Sequence, residues 1–230
     1  MNFIINRDHF GAGLQLVSSV VGSRKTMPIL QNVLIEAKKD CVSLSTTNLD
    51  LGIKCSVSAD VEEVGSVTLP VKELVRIVRE LADMEVKVSS TGSPKATIST
   101  RGSIFNLVGM DSKEFPPLPE LENSKSFTLE REELTSMLKS VSYAQSVNEE
   151  RYMLKGVFFQ KEEETISLVA TDGRRLAVTS KAEKTSPENN GEFILPSLTV
   201  AELERLPSVA QAIELNFTED RKSTRLNSSH

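Results

Sequence analysis

A chain of 230 residues with 39% hydrophobic residues can fill two cores of ordinary domain size. It has no apolar run long enough to span a bilayer, and Met1-Asn2-Phe3-Ile4 lacks the basic stretch of a secretory signal. The net charge of −5 is unevenly spread: residues 1–110 hold 12 Lys/Arg against 11 Asp/Glu, and residues 111–230 hold 15 against 21. Overall sign is therefore a poor guide to partners, because basic groups can be segregated onto one surface. Cys41 and Cys55 are expected to be buried free thiols, as suits a reducing cytosol. With His9 and His230 they have no zinc-binding spacing, so no metal or cofactor is expected.

In chain order, Met1–Asn6 reads as a strand and Arg7–Val21 as a helix, with Leu14, Val17 and Val21 at helical spacing. Val33–Ala37, Val42–Thr46, Leu51–Ser58 and Gly65–Leu69 read as strands. Pro70 then sits at a helix start, where its missing N–H is harmless. Val71, Leu74, Val75, Val78 and Leu81 form the apolar stripe of that helix. Three alternating runs follow: Glu85–Ser89, Ala96–Thr100 and Ser103–Val108. Met110 to Ser126, with Pro116, Pro117 and Pro119, reads as a connector. Next come strand Ser126–Leu129, helix Glu130–Gln145, and strands Val157–Gln160, Thr165–Ala170, Leu176–Ser180 and Gly191–Leu195. A helix at Thr199–Leu206 precedes strand Ala212–Phe217.

The second half repeats the first. Phe3 returns as Phe127, and Ser45-Thr46-Thr47-Asn48 as Val169-Ala170-Thr171-Asp172, both 124 residues on. Leu69-Pro70 before a helix returns as Leu195-Pro196 before a helix. A repeat of this length is a whole domain. The fold class is α+β, with two tandem domains, each with two helices on antiparallel sheets. The domains are placed at 1–120 and 126–218, with a linker at 121–125. The second copy is expected to lack about two strands, and 219–230 to be a disordered, non-native tail.

Several motifs have bland readings. Asp172-Gly173 between apolar strands signals a hairpin, and no Ser/His or Cys/His partner makes Asp172 part of a triad. Glu162-Glu163-Glu164 reads as a solvated hairpin tip. Pro116-Pro117-Leu118-Pro119 reads as an extended connector rather than an SH3-type ligand. No glycine-rich phosphate loop occurs. Lys72, Arg76 and Arg79 fall at i, i+4 and i+7, on one face of the helix after Pro70. Arg7 stands at the start of the first helix and Arg24-Lys25 in the loop after it. If the two helices pack side by side, these bases share a surface suited to phosphates without base readout.

The segments Arg24-Lys25-Thr26-Met27-Pro28-Ile29-Leu30-Gln31-Asn32, Phe115-Pro116, Arg151-Tyr152-Met153-Leu154-Lys155-Gly156 and Ala170-Thr171-Asp172-Gly173-Arg174-Arg175-Leu176-Ala177 resemble the bacterial DNA polymerase III beta subunit, the sliding-clamp family. The resemblance runs from residue 1 to about 218. It implies three similar domains per chain and two chains in a ring around duplex DNA, with helices lining the hole and sheets outside. The third domain is absent from this sequence. The implied role is a non-catalytic, cytoplasmic processivity factor that tethers a replicative polymerase.

The resemblance assigns DNA contacts to Arg24, Gln15 and Asn148, with Arg7, Lys72, Arg76 and Arg79 as further lining. It assigns one wall of a cleft for polymerase and clamp-loader peptides to Leu154, Thr171, Gly173, Arg174, Arg175 and Leu176. It makes Phe105 a subunit-interface residue, with Ile104 expected inside. Asn148 stands where some family members have Gln, Arg174 where the family often has His, and Ser197 where a basic residue is common. Two other classes remain as alternatives. An enzyme acting on DNA would need clustered carboxylates, and here they are scattered. A stand-alone two-domain adaptor would need a self-sufficient second domain.

Overall fold

A computed structural model describes residues 1–21, 27–49, 51–91, 94–118, 125–147, 154–182, 190–205, 212–217 and 224–229. The chain divides into two compact units, Met1–Leu118 and Pro119–His230. Each has its own apolar core.

The first unit begins with strand β1 (Asn2–Asn6) and helix α1 (Arg7–Ser18). Asn6 caps α1, its side-chain oxygen accepting hydrogen bonds from the N–H groups of Asp8 at 2.9 Å and His9 at 3.2 Å. After a short turn at Pro28–Gln31 come β2 (Asn32–Ala37), β3 (Cys41–Thr47), β4 (Gly52–Ser58), β5 (Asp60–Glu63) and β6 (Gly65–Pro70). Helix α2 (Val71–Glu80) follows, then β7 (Glu85–Ser89), β8 (Lys95–Ser99) and β9 (Ile104–Val108). The strands make two antiparallel sheets, ordered β5-β1-β7-β8-β9 and β4-β3-β2-β6. Strand β5 was not anticipated. Its run, Asp-Val-Glu-Glu, has a single apolar residue, but its backbone completes the edge beside β1.

Phe10, Gly13, Leu14 and Val17 form the buried stripe of α1. A Cβ on Gly13 would lie 2.8 Å from Val57 and 3.0 Å from Leu44, so glycine is what lets the helix settle on this sheet. Both cysteines are free, and burial pushes the Cys55 thiol up to about 11, which keeps it protonated.

The second unit repeats the plan. It contains β10 (Lys125–Glu130), α3 (Arg131–Val141), β11 (Gly156–Glu162), β12 (Thr165–Thr171), β13 (Leu176–Ala182), β14 (Gly191–Pro196), α4 (Ser197–Glu204), β15 (Ala212–Phe217) and β16 (Thr224–Ser229). The sheets are β13-β12-β11-β14 and β10-β15-β16. Helix α1 is shorter than expected, ending at Ser18, and α3 gives way after Val141 to a tight turn at Ser142–Ala144.

The expected unstructured tail differs more. Residues 224–229 form β16, paired antiparallel with β15 from Phe217↔Thr224 to Ala212↔Ser229. Ladder pairing uses backbone groups, so a polar run without alternation can occupy an open strand edge. In the repeat β16 stands where β8 stands, so one of the two strands thought missing is in place.

Candidate nucleic-acid and partner interfaces

In α2 the apolar stripe decides which side faces out. Val71, Leu74 and Val78 are buried, and Lys72, Arg76 and Arg79 are exposed, as the spacing requires. None of the three makes an ion pair among the described residues. Helix α1 lies alongside: a Cβ on Gly11 would stand 3.8 Å from Val78. Gln15 is exposed on α1. Lys72 also lines a groove with Pro28 and Gln31, just after the segment that carries Arg24. Arg24 itself and Asn148 lie outside the described residues.

Arg7, expected as further lining, is engaged within the domain. One guanidinium nitrogen donates to the Leu81 carbonyl at 2.8 Å and another pairs with Asp8 at 2.8 Å. Arg7 thus ties the start of α1 to the end of α2, where a helix leaves carbonyls unpaired.

Thr171 to Leu176 form one compact turn. Thr171 Oγ1 accepts from the Gly173 N–H at 3.0 Å and donates to the Arg175 carbonyl at 2.7 Å. Asp172 Oδ1 accepts from the N–H groups of Arg174 at 2.9 Å and Arg175 at 3.0 Å. These donors hold the Asp172 carboxyl below its ordinary range, and the Arg175 guanidinium adds to the effect. Gly173 sits at φ 85°, in the left-handed region that favours glycine. Leu176 pairs with Thr171 across the hairpin and is 65% exposed.

Arg174 is exposed, and its guanidinium has no partner among the described residues. Arg175 is engaged, bonded through Nε to Asp172 at 3.1 Å and lying 5.5 Å from the centre of the Tyr143 ring. Tyr143 was missed in the sequence. It stands in the turn after α3, 32 residues away, and no local pattern links it to the hairpin. Leu154 is half-buried, and its carbonyl accepts from the Ser146 N–H at 3.0 Å. It precedes β11 at the sheet end where β12 finishes with Thr171. The turn thus offers an exposed leucine, an exposed guanidinium and a glycine rim, a surface that can hold an apolar side chain beside an acceptor.

Phe105 lies opposite Ile98, and Leu107 opposite Ala96, across the β8–β9 pair. Opposed residues share a face, so Phe105 points toward the core side and Ile104 away from it. The expected orientation is reversed: Ile104 is 71% exposed, and Leu107 is the buried residue of this strand. Phe105 is still 37% exposed, because β9 is an edge strand. Among the described residues, no group of three or more His, Cys, Asp or Glu is placed to hold a metal. No helix among them is long and apolar enough to cross a membrane.

Residues 1–119 match the family description "DNA polymerase III beta subunit, N-terminal domain", and residues 128–228 match "DNA polymerase III beta subunit, central domain". The second match continues into β16. The beta sliding clamp of Chlamydia muridarum is 36% identical over 208 residues, covering 90% of this chain and 57% of the relative. That of Halalkalibacterium halodurans is 32% identical over 216 residues, with the same two coverages. Among solved structures, the DNA polymerase sliding clamp of Caulobacter crescentus superposes with a TM-score of 0.89 at 32% identity, covering 100% of this chain and 63% of that one. The Pseudomonas aeruginosa sliding clamp bound to griselimycin gives 0.88 at 28%, covering 95% and 60%. The chain thus spans little more than half the length of these relatives.

Proposed function

The chain belongs to the DNA polymerase III beta subunit family, and on that premise we propose that it carries the N-terminal and central domains of a sliding clamp. Completed by a third domain and a second copy, it encircles duplex DNA and tethers the replicative polymerase in the cytoplasm, with no reaction of its own.

The observation that carries this reading is the face of α2. Three cations without ion pairs among the described residues, on a helix whose opposite side is locked into the core, form a surface ready for phosphates. Such contacts release counterions and read no bases, which suits a protein that must slide. Gln15 on α1 extends that face, and Arg24 and Asn148 are proposed to join it. Arg7 contributes by fixing the two helices together.

The hairpin of the second domain is proposed as one wall of the site for polymerase and clamp-loader peptides. Leu154 and Leu176 would take apolar anchors and Arg174 an acidic or amide side chain, while Arg175 is held in place by Asp172 and Tyr143. Phe105, exposed at a sheet edge, is proposed to meet the neighbouring subunit. The test is retention of the full-length protein on circular DNA as salt is raised. Reversal of all three α2 charges should abolish retention at moderate salt, and unchanged retention would remove the DNA-facing role.

A further inference from the structure

The turn at Thr171–Leu176 has a twin in the first domain. Thr47 Oγ1 accepts from the Leu49 N–H at 3.0 Å and donates to the Leu51 carbonyl at 3.0 Å. Asn48 Oδ1 accepts from the Leu51 N–H at 2.8 Å. Leu49 sits at φ 78°, where the second domain has Gly173 at φ 85°. Leucine is rarely held in that region, since its Cβ crowds the following carbonyl. Its side chain is nonetheless 59% exposed, so burial does not explain the strain.

The strand that leaves each turn marks the difference. Leu176 pairs with Thr171, and Gly52 pairs with Thr47 in the same register. A Cβ on Gly52 would lie 2.3 Å from Leu118 Cδ2. The methyl of Leu118 therefore stands where a side chain at 52 would begin. Leu118 ends the Phe115-Pro116-Pro117-Leu118 segment, which Phe115 anchors by its own burial.

We propose that the Thr47–Gly52 hairpin is a second leucine-binding site, occupied in cis by Leu118 of the connector. Its ligand class is an extended peptide in which proline precedes leucine. Gly52 supplies the space, and the strained turn holds its rim. An attached occupant acts at an effective concentration in the millimolar range, so the site stays closed to weak ligands in trans. The proposal concerns the first domain only and stands apart from the peptide role given to the second.

The test titrates N-acetyl-prolyl-leucinamide into the full chain, followed by amide NMR shifts. In Leu118→Ala, the Gly52 and Asn48 amides should shift saturably. In the unaltered chain the probe must displace Leu118, so the same shifts should need at least about tenfold more probe. Adding Gly52→Val to Leu118→Ala should fill the seat and remove the response. A folded Leu118→Ala chain with no shift at Gly52 would overturn the proposal, as would shifts confined to Thr171–Leu176. Should Leu118→Ala fail to fold, the unaltered chain decides. Movement of the Leu118 methyl signals toward free-leucine values as probe is added supports the site, and fixed signals at saturating probe reject it.

Discussion

Helices α2 and α4 occupy the same place in the two domains, each following a Leu-Pro pair, yet they carry different charge. Leu74 of α2 and Val200 of α4 are both buried, and Leu203 of α4 matches the partly buried Ile77. The exposed positions diverge. Lys72 corresponds to Leu198, which is exposed, and Arg76 to Glu202, while Arg79 corresponds to Arg205, just past the end of α4. Packing is set by the fold and so recurs. Charge is set by what the surface meets, and here it is concentrated in the first domain. The small net positive balance of residues 1–110 already hints at this segregation.

The largest effect should come from the shared packing. Leu74→Ala removes a fully buried side chain between α2 and its sheets and should cost about 2–5 kcal/mol. Denaturant unfolding should show the loss in the first unit, with the second unit's transition little changed. A loss shared equally would mean that the two units unfold as one.

The charge difference comes next. Replacing Lys72, Arg76 and Arg79 with glutamate should make the salt dependence of DNA binding by the full-length protein shallower by about 3 in logarithmic slope, at roughly 0.9 per phosphate lost. Installing the missing cation with Leu198→Lys should steepen it by about 1. If the triple reversal leaves the slope unchanged, the basic face of α2 is only a solvated surface.

The end of α4 offers a smaller contrast. Val78 is buried in α2, and Glu204 stands in the corresponding place. Its Oε1 is buried and finds no hydrogen-bond partner among the described residues. An unsatisfied buried acceptor is costly, and α4 stops there, shorter than α2. Glu204→Val should therefore stabilise the second unit by about 1 kcal/mol, read as a rise in its unfolding midpoint.

Much of this was legible in the sequence because hydrophobic period and repeat spacing are local signals. The stripe Val71, Leu74, Val78 orients α2 by its spacing alone, and the Thr171-Asp172-Gly173 run announces its turn. Three features escaped for physical reasons. Strand β5 has almost no apolar pattern, since it is held by backbone pairing with β1. Strand β16 is polar for the same reason. The face of Phe105 could not be set by alternation alone, because Ile104, Phe105 and Leu107 are all apolar and only the register against β8 tells which points inward. The twin turn at Thr47–Leu51 lay within reach through the 124-residue offset, but Leu49 hides the match to Gly173.

The two turns also differ in the side chain that caps them, and this gives the smallest and most selective prediction. Asp172 and Asn48 cap equivalent turns, but only Asp172 can be protonated. Its carboxyl is held below the ordinary range, chiefly by the Arg174 and Arg175 N–H groups that need its charge. A depressed folded value means that the stabilisation is complete above the unfolded carboxylate range and is lost as pH falls through the folded value. The second-domain turn should therefore loosen in acid, releasing Arg175 from Asp172 and leaving it on Tyr143 alone. In an Asp50→Asn background, which removes the one carboxyl of the Thr47–Gly52 run, the first-domain turn should not respond, because Asn48 is neutral throughout. Following the Arg174, Arg175 and Leu51 amide signals through an acid titration separates the two. Asp172→Asn should flatten the Arg174 and Arg175 profiles to match that of Leu51. If Leu51 titrates in parallel with Arg175, the acid response belongs to the chain as a whole, and the distinction between the two caps fails.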